Sequence, residues 1–257
     1  MRLFDTHAHV YDKAFNEDRE EMLDQIFQKV DYVVCPSENL ETSLQTVDLI
    51  KRYPHLYGAV GIHPHESRFA SEEVLSRIAY LTSRNEKIKA IGEIGLDYYY
   101  FHSEKEIQKK WFQRQIELAV ELDLPIIIHD REAHGDTLQI LQKYRSKKLR
   151  GIIHCFSGSM EFAKELIKLG FYISFAGPIV FPKSTKLKQV AEQLPLEKIL
   201  IETDSPYLTP PPNRGKRNDP GNVIYVAEEI ARLKKIPLDE VIRQTRENAL
   251  KIYQISE

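Results

Sequence analysis

The chain has only two cysteines, Cys35 and Cys155, among 257 residues. They cannot form a framework of bridges, and their separation matches no thiolate metal motif, so a reducing compartment is expected. An excess of one charge is also missing: 36 Lys and Arg against 38 Asp and Glu leave a formal net charge of −2. No global field draws in nucleic acid, so any grip on phosphates has to come from a local basic patch. Long apolar runs are absent too. None approaches the roughly 18 residues of a membrane span. The N-terminal stretch, with acidic Asp5 early in it, lacks the apolar core of a signal peptide. The expectation is a cytoplasmic protein without a membrane or an obligate protein partner. Neither a dinucleotide fingerprint nor a Walker A pattern occurs, and Gly92-Glu93-Ile94-Gly95 fits neither. Internal repeats, low-complexity tracts and dividing linkers are also lacking. Pro210-Pro211-Pro212 resembles a linker, but the amphipathic segments after it suit covering a barrel better than folding alone.

What is present is an alternation. Short runs rich in Ile, Val, Phe and Tyr occupy Arg2–Val10, Asp31–Cys35, Leu56–Ile62, Lys89–Ile94, Leu124–His129, Leu149–Cys155, Phe171–Phe175 and Ile199–Glu202. Near-continuous apolarity predicts strands buried on both faces, as in a parallel sheet. Between them lie helical patterns at Asp18–Val30, Leu40–Tyr53, Glu72–Thr82, Ser103–Leu122, Ala133–Tyr144, Met160–Leu169 and Lys186–Leu194. Two more follow at Val223–Lys234 and Leu238–Tyr253. Eight strand–helix alternations predict an α/β protein: a (β/α)8 TIM barrel, one domain spanning residues 1–257, with extra C-terminal helices.

Barrel active sites collect at the C-terminal ends of the strands. Run one ends in His7-Ala8-His9, run four in Glu93 and Asp97, run five in His129-Asp130-Arg131, run six in His154-Cys155, and run eight in Glu202-Thr203-Asp204. On a strand His7, His9 and Asp5 share a face, with Asp5 a candidate acceptor behind the two imidazoles. His7, His9, His129, His154, Glu93 and Asp204 exceed what one ion needs. They suit two divalent ions sharing a carboxylate. Glu93 is the expected bridge and catalytic group. Asp204 is the expected catalytic residue that binds metal and takes a proton from the attacking water.

His63 and His65, after run three, are candidate substrate contacts. Arg131 shares parity with His129 and is a candidate clamp for an anionic oxygen. Glu202 and Asp97 read as buried supports, and Cys155 as a core thiol facing away from His154. Arg214-Gly215-Lys216-Arg217 forms a basic cluster after run eight, with Lys183, Lys186 and Lys188 after run seven. Arg214 and Lys216 are candidate phosphate contacts. Tyr98-Tyr99-Tyr100-Phe101 offers stacking surfaces for bases.

Phe4-Asp5-Thr6-His7-Ala8-His9, Pro125–Ala133 and Leu200–Pro206 resemble the three signature regions of the TatD family of metal-dependent deoxyribonucleases. Gly61–His65, Gly92–Asp97 and Arg214–Asn218 also resemble family segments. The resemblance implies an amidohydrolase-like TIM barrel with a two-metal site held by His7, His9, Glu93, His129, His154 and Asp204. Mg²⁺ or Mn²⁺ would support activity, with Zn²⁺ as a possible bound metal. The implied activity is hydrolysis of DNA phosphodiester bonds, as a 3′→5′ exonuclease on single strands in DNA repair or degradation. The alternatives are ester or amide hydrolysis, for example deacylation of D-aminoacyl-tRNA, and a non-catalytic metal-binding role. One departure stands out: Tyr11 occupies a position where the family usually has Asp or Asn.

Overall fold

The computed structural model describes residues 2–256. Met1 and Glu257, the ends of the expected domain, lie outside the described residues. Eight parallel strands follow one another around a single sheet: β1 (Leu3–Asp5), β2 (Val30–Pro36), β3 (Leu56–Val60), β4 (Ile88–Asp97), β5 (Ile126–Arg131), β6 (Gly151–Ile153), β7 (Tyr172–Phe175) and β8 (Ile199–Ile201). The intervening helices are α1 (Arg19–Ile26), α2 (Leu40–Arg52), α3 (Glu72–Ser83), α4 (Lys105–Glu121), α5 (His134–Lys143), α6 (Met160–Lys168) and α7 (Thr185–Gln193). After β8 come α8 (Val223–Lys234) and α9 (Leu238–Tyr253). This is the expected (β/α)8 barrel, in which α8 completes the eightfold repeat and α9 alone is the extra C-terminal helix among the described residues. No described helix is long and apolar enough to cross a membrane.

Alternation of side chains along the strands sorts the apolar residues into two cores. Phe4, Val34, Ala59, Ala90, Ile127, Ile152, Tyr172 and Leu200, one from each strand, pack inside the barrel with Ile252 and Tyr253 of α9. The strand residues of opposite parity, such as Val33, Ile91 and Ile128, pack outward against the helices. The inner layer fills the N-terminal half of the barrel, leaving the C-terminal half for polar groups.

β1 and β8 do not share a regular ladder. The last seam is closed beyond the strand ends instead. Thr6 N donates to Ile201 O (3.2 Å), Asp204 N to His7 O (2.9 Å) and His9 N to Ser205 O (2.8 Å). These bonds hold His7, His9 and Asp204 in register. At the β4–β5 seam Gly95 has φ +140°, and a Cβ there would meet His129 O at 2.0 Å. Only glycine lets the two backbones approach this closely, which brings Glu93 and His129 to neighbouring positions.

Candidate metal centre

β1 ends at Asp5, so His7 and His9 lie on the irregular segment beyond it, on either side of the isolated bridge from Ala8 to Ser205. Strand parity therefore does not decide where Asp5 points. Its carboxylate accepts from the backbone of His7 (3.2 Å) and Thr203 (3.0 Å) and from the Thr203 hydroxyl (2.5 Å). It braces the closing seam and is not the expected acceptor behind the imidazoles.

The six expected ligands do converge. Glu93, 2% exposed, stands between two sets of donors. Its Oε2 lies 3.2 Å from His7 Nε2 and 3.8 Å from His9 Nε2. Its Oε1 lies 2.9 Å from His129 Nδ1 and 2.8 Å from His154 Nε2. Asp204 Oδ1 approaches His9 Nε2 (3.3 Å) and His7 Nε2 (3.7 Å). Asp204 has φ +57°, in the left-handed region that short polar residues tolerate better than most and that concentrates at functional sites.

Each of three imidazoles is gripped from behind. Glu202 accepts from His154 Nδ1 (3.2 Å), from the Cys155 backbone (2.6 Å) and from the Ser174 hydroxyl (2.6 Å). Asp97 Oδ2 accepts from His129 Nε2 (3.0 Å) and from His65 Nε2 (2.9 Å). The Tyr11 hydroxyl meets His9 Nδ1 at 3.1 Å. Arg19 in turn donates to the carbonyls of Val10, Tyr11 and Asp12, pinning that loop. Glu202 and Asp97 are thus the buried supports expected from the sequence. Tyr11 and Arg19 were not foreseen in these roles. The only signal was that Tyr11 departs from the family pattern.

The charges follow this arrangement. Burial alone would raise the Glu93 carboxyl, but the imidazoles of His154, His63 and His7 and the His129 hydrogen bond hold it well below the carboxylate range. Burial would lower His9, yet Asp204 lifts it to about 9. His154, caught between Glu93 and Glu202, is raised well above its usual value despite burial. Burial and the neighbouring His154 lower His7, and burial takes His63 down to about 3.

The donor chemistry fits divalent cations. His7 Nε2 and His9 Nε2 face each other at 3.3 Å, and His154 Nε2 faces His129 Nδ1 at 3.4 Å. Paired nitrogen lone pairs at such distances repel unless a proton or a cation sits near both. The donor atoms of His7, His9 and Asp204 lie within 4.8 Å of one another, as do those of His63, Glu93 and His129. Buried His7 Nδ1 has no hydrogen-bond partner among the described residues.

The expected substrate contacts divide. His63 is buried, with Nε2 3.5 Å from Glu93 Oε1. His65 is committed to Asp97 and packs edge-on to His102, 4.6 Å between centroids. The Arg131 guanidinium is exposed and lies over the rings of Tyr99 (4.2 Å) and Tyr100 (4.6 Å). Arg214 is exposed and stacks on Phe181 (4.9 Å), and Lys216 is exposed. Neither hydrogen-bonds a ligand residue through its side chain among the described residues. Arg217 is consumed by a paired contact with Asp18 and stacking on Phe15, and Lys188 by Glu229. Cys155 is partly exposed rather than a core thiol. Burial and the carboxylates of Asp204, Glu202 and Glu93 push its pKa well up, so it remains a thiol.

The family model described as TatD related DNase matches residues 4–254. The chain belongs to this TatD-related family. It is 44% identical over 255 residues to YabD of Bacillus subtilis, named an uncharacterized metal-dependent hydrolase, covering 99% of this chain and 100% of that one. YcfH of Escherichia coli K12, named in the same words, is 36% identical over 261 residues, covering 99% and 97%. The crystal structure of YjjV, a TatD homolog from Escherichia coli K12, superposes with a TM-score of 0.93 at 30% identity over 99% of each chain. As a TatD-family member the chain is a metal-dependent hydrolase.

Proposed function

We propose that this TatD-related hydrolase cleaves DNA phosphodiester bonds, acting from the 3′ end of single strands, with two divalent ions at the strand-end cluster. The observation that carries the two-ion reading is Glu93. Its two oxygens face separate nitrogen sets, as a bridging carboxylate requires. In this reading His7, His9 and Asp204 serve one ion, His129 and His154 the other, and Glu93 both. Bound divalent ions would supply Lewis acidity and lower the pKa of water in the site.

The protein's own groups do the rest. Asp204, whose side chain is 14% exposed, takes the proton released by the attacking water. Glu202 and Asp97 fix the rings of His154 and His129. Arg131, its guanidinium carbon 4.2 Å and 4.6 Å from the ring centroids of Tyr99 and Tyr100, is an exposed cation for a phosphate, while the tyrosines offer faces to bases. Arg214 and Lys216 extend the phosphate track. The family's printed description as a DNase supports this substrate. We place the enzyme in the cytoplasm, as a single domain using Mg²⁺ or Mn²⁺.

The test is a substrate panel with chelated and metal-reconstituted protein. Single-stranded DNA should be shortened from its 3′ end only after reconstitution. In Asp204→Asn, turnover should fall about 10²–10⁴-fold with KM little changed. Hydrolysis of lactones, amides or D-aminoacyl-tRNA with DNA left intact would overturn the phosphodiesterase reading.

A further inference from the structure

His63 stands apart from the other imidazoles of the centre. It is 5% exposed, its Nε2 lies 3.5 Å from Glu93 Oε1, and its ring packs edge-on to His129 with centroids 4.5 Å apart. By proximity alone it qualifies as a ligand with Glu93 and His129. Its other nitrogen decides otherwise.

His63 is the N-cap of the short 3-10 helix Pro64–Phe69, and its Nδ1 accepts the backbone N–H of His65 at 3.2 Å. A backbone amide can only donate, so Nδ1 carries a lone pair there and no proton. In a neutral imidazole the proton then resides on Nε2, the nitrogen that faces the centre. The three gripped imidazoles are wired the opposite way. His154 Nδ1 and His129 Nε2 each point outward to a carboxylate, and His9 Nδ1 points to the Tyr11 hydroxyl. Their outward nitrogens can keep a proton while the inward ones present lone pairs to a metal, the usual arrangement of metal-bound histidine. His63 cannot do so without giving up its cap.

We infer that His63 is not a metal ligand but a fixed Nε2–H donor on the wall of the centre, giving its hydrogen bond to a non-bridging oxygen of the substrate phosphoryl group. This rests on the phosphodiesterase reading for the identity of the oxygen, but not for the tautomer. Without substrate the donor rests against Glu93 Oε1. With substrate bound, an N–H aimed into a water-poor site stabilises charge that grows on the phosphoryl oxygens. Pro64 at the first helical position and the His65 amide hold the ring in place.

Two substitutions separate the roles, because Asn reproduces the Nδ1 side of histidine and Gln the Nε2 side. His63→Asn keeps a good N-cap and loses the inward donor. His63→Gln keeps an inward N–H and loses the cap. With both variants fully metallated, His63→Asn should lose about 10²-fold in turnover on single-stranded DNA, and His63→Gln should recover much of it. Nitrogen-15 NMR of the zinc-loaded protein should give a protonated, pyrrole-type Nε2 and an unprotonated Nδ1 for His63, assigned by the signals lost in His63→Asn. Loss of bound metal in both folded variants, or a metal-shifted unprotonated Nε2, would make His63 a ligand and overturn the inference. Full turnover in His63→Asn with loss in His63→Gln would leave it only a cap. If wild-type protein cleaves no phosphodiester, the substrate reading fails, while the NMR measurement still decides donor against ligand.

Discussion

At the N-terminal end of the barrel, Lys87 Nζ donates to the carbonyls of Ile50 and Tyr53, both at 2.5 Å. Asn248 donates to Leu196 O (2.9 Å) and Ile199 O (2.8 Å), and Lys234 reaches the carbonyls of Glu192 and Leu194. At the C-terminal end, His7, His9, His129, His154, Glu93 and Asp204 meet one another instead. Both ends bury or half-bury polar groups. At the first end each donor finds a backbone carbonyl left open near a helix or strand terminus, so the groups are used up by the fold. At the second, acceptors face acceptors, and the arrangement is complete only with cations or protons between them. The difference separates polar residues whose partners the fold supplies from polar residues left facing one another.

The sharpest way to break this contrast is Glu93→Gln. If the C-terminal end is a two-ion centre, the variant should stay folded by circular dichroism, lose bound metal, and lose more than about 10³-fold in turnover, equivalent to several kcal/mol of metal-derived stabilisation. A fully metallated, active variant would make that end as structural as the other.

Protons and cations should compete at the C-terminal end alone. His9 is raised from 6.5 to about 9, chiefly by Asp204 against the opposing effect of burial. In chelated protein, its bound proton stabilises the fold fully below pH 6.5, and that contribution is lost as the pH rises through about 9. A metal at His9 has to displace this proton, so apparent affinity should rise by up to about tenfold per pH unit across that window from this proton. Titration calorimetry giving a flat affinity would sink the assignment of His9 as a ligand.

Glu202→Gln sharpens the contrast more gently. Weakening the acceptor behind His154 should cost about 10–100-fold in metal affinity while the chain stays folded. Unchanged affinity would mean that Glu202 serves only Ser174 and the Cys155 backbone. Asn248→Ala, at the other end, is the smallest expected effect. Loss of two hydrogen bonds to carbonyls should lower stability by about 2 kcal/mol in urea unfolding, with metal content and turnover unchanged. A change in metal content there would join the two ends energetically.

The alternation of apolar runs and helical patterns determined the barrel, because strands buried on both faces and amphipathic helices each leave a periodic mark that needs no partner to be read. The polar strand ends were equally legible: His7, His9, Glu93, His129, His154 and Asp204 each sit at or just past the end of an apolar run, and the barrel brings such ends together. Helix α9 lies at Leu238–Tyr253, the range its pattern predicts. What the sequence did not carry is how each group is oriented. Strand parity placed Asp5 behind the imidazoles, but β1 stops at Asp5 and the alternation stops with it. Arg217 read like Arg214 and Lys216 until Asp18, nearly 200 positions away, paired with it. His63 read only as a candidate substrate contact, alongside His65. The contact that sets its tautomer is the amide of His65, and the contacts that set the opposite wiring at His129 and His154 come from Asp97 on β4 and Glu202 after β8. Residue type and period are properties of the chain. Which nitrogen keeps its proton, and which cation is left free, depend on atoms that only the closed barrel brings within hydrogen-bonding distance.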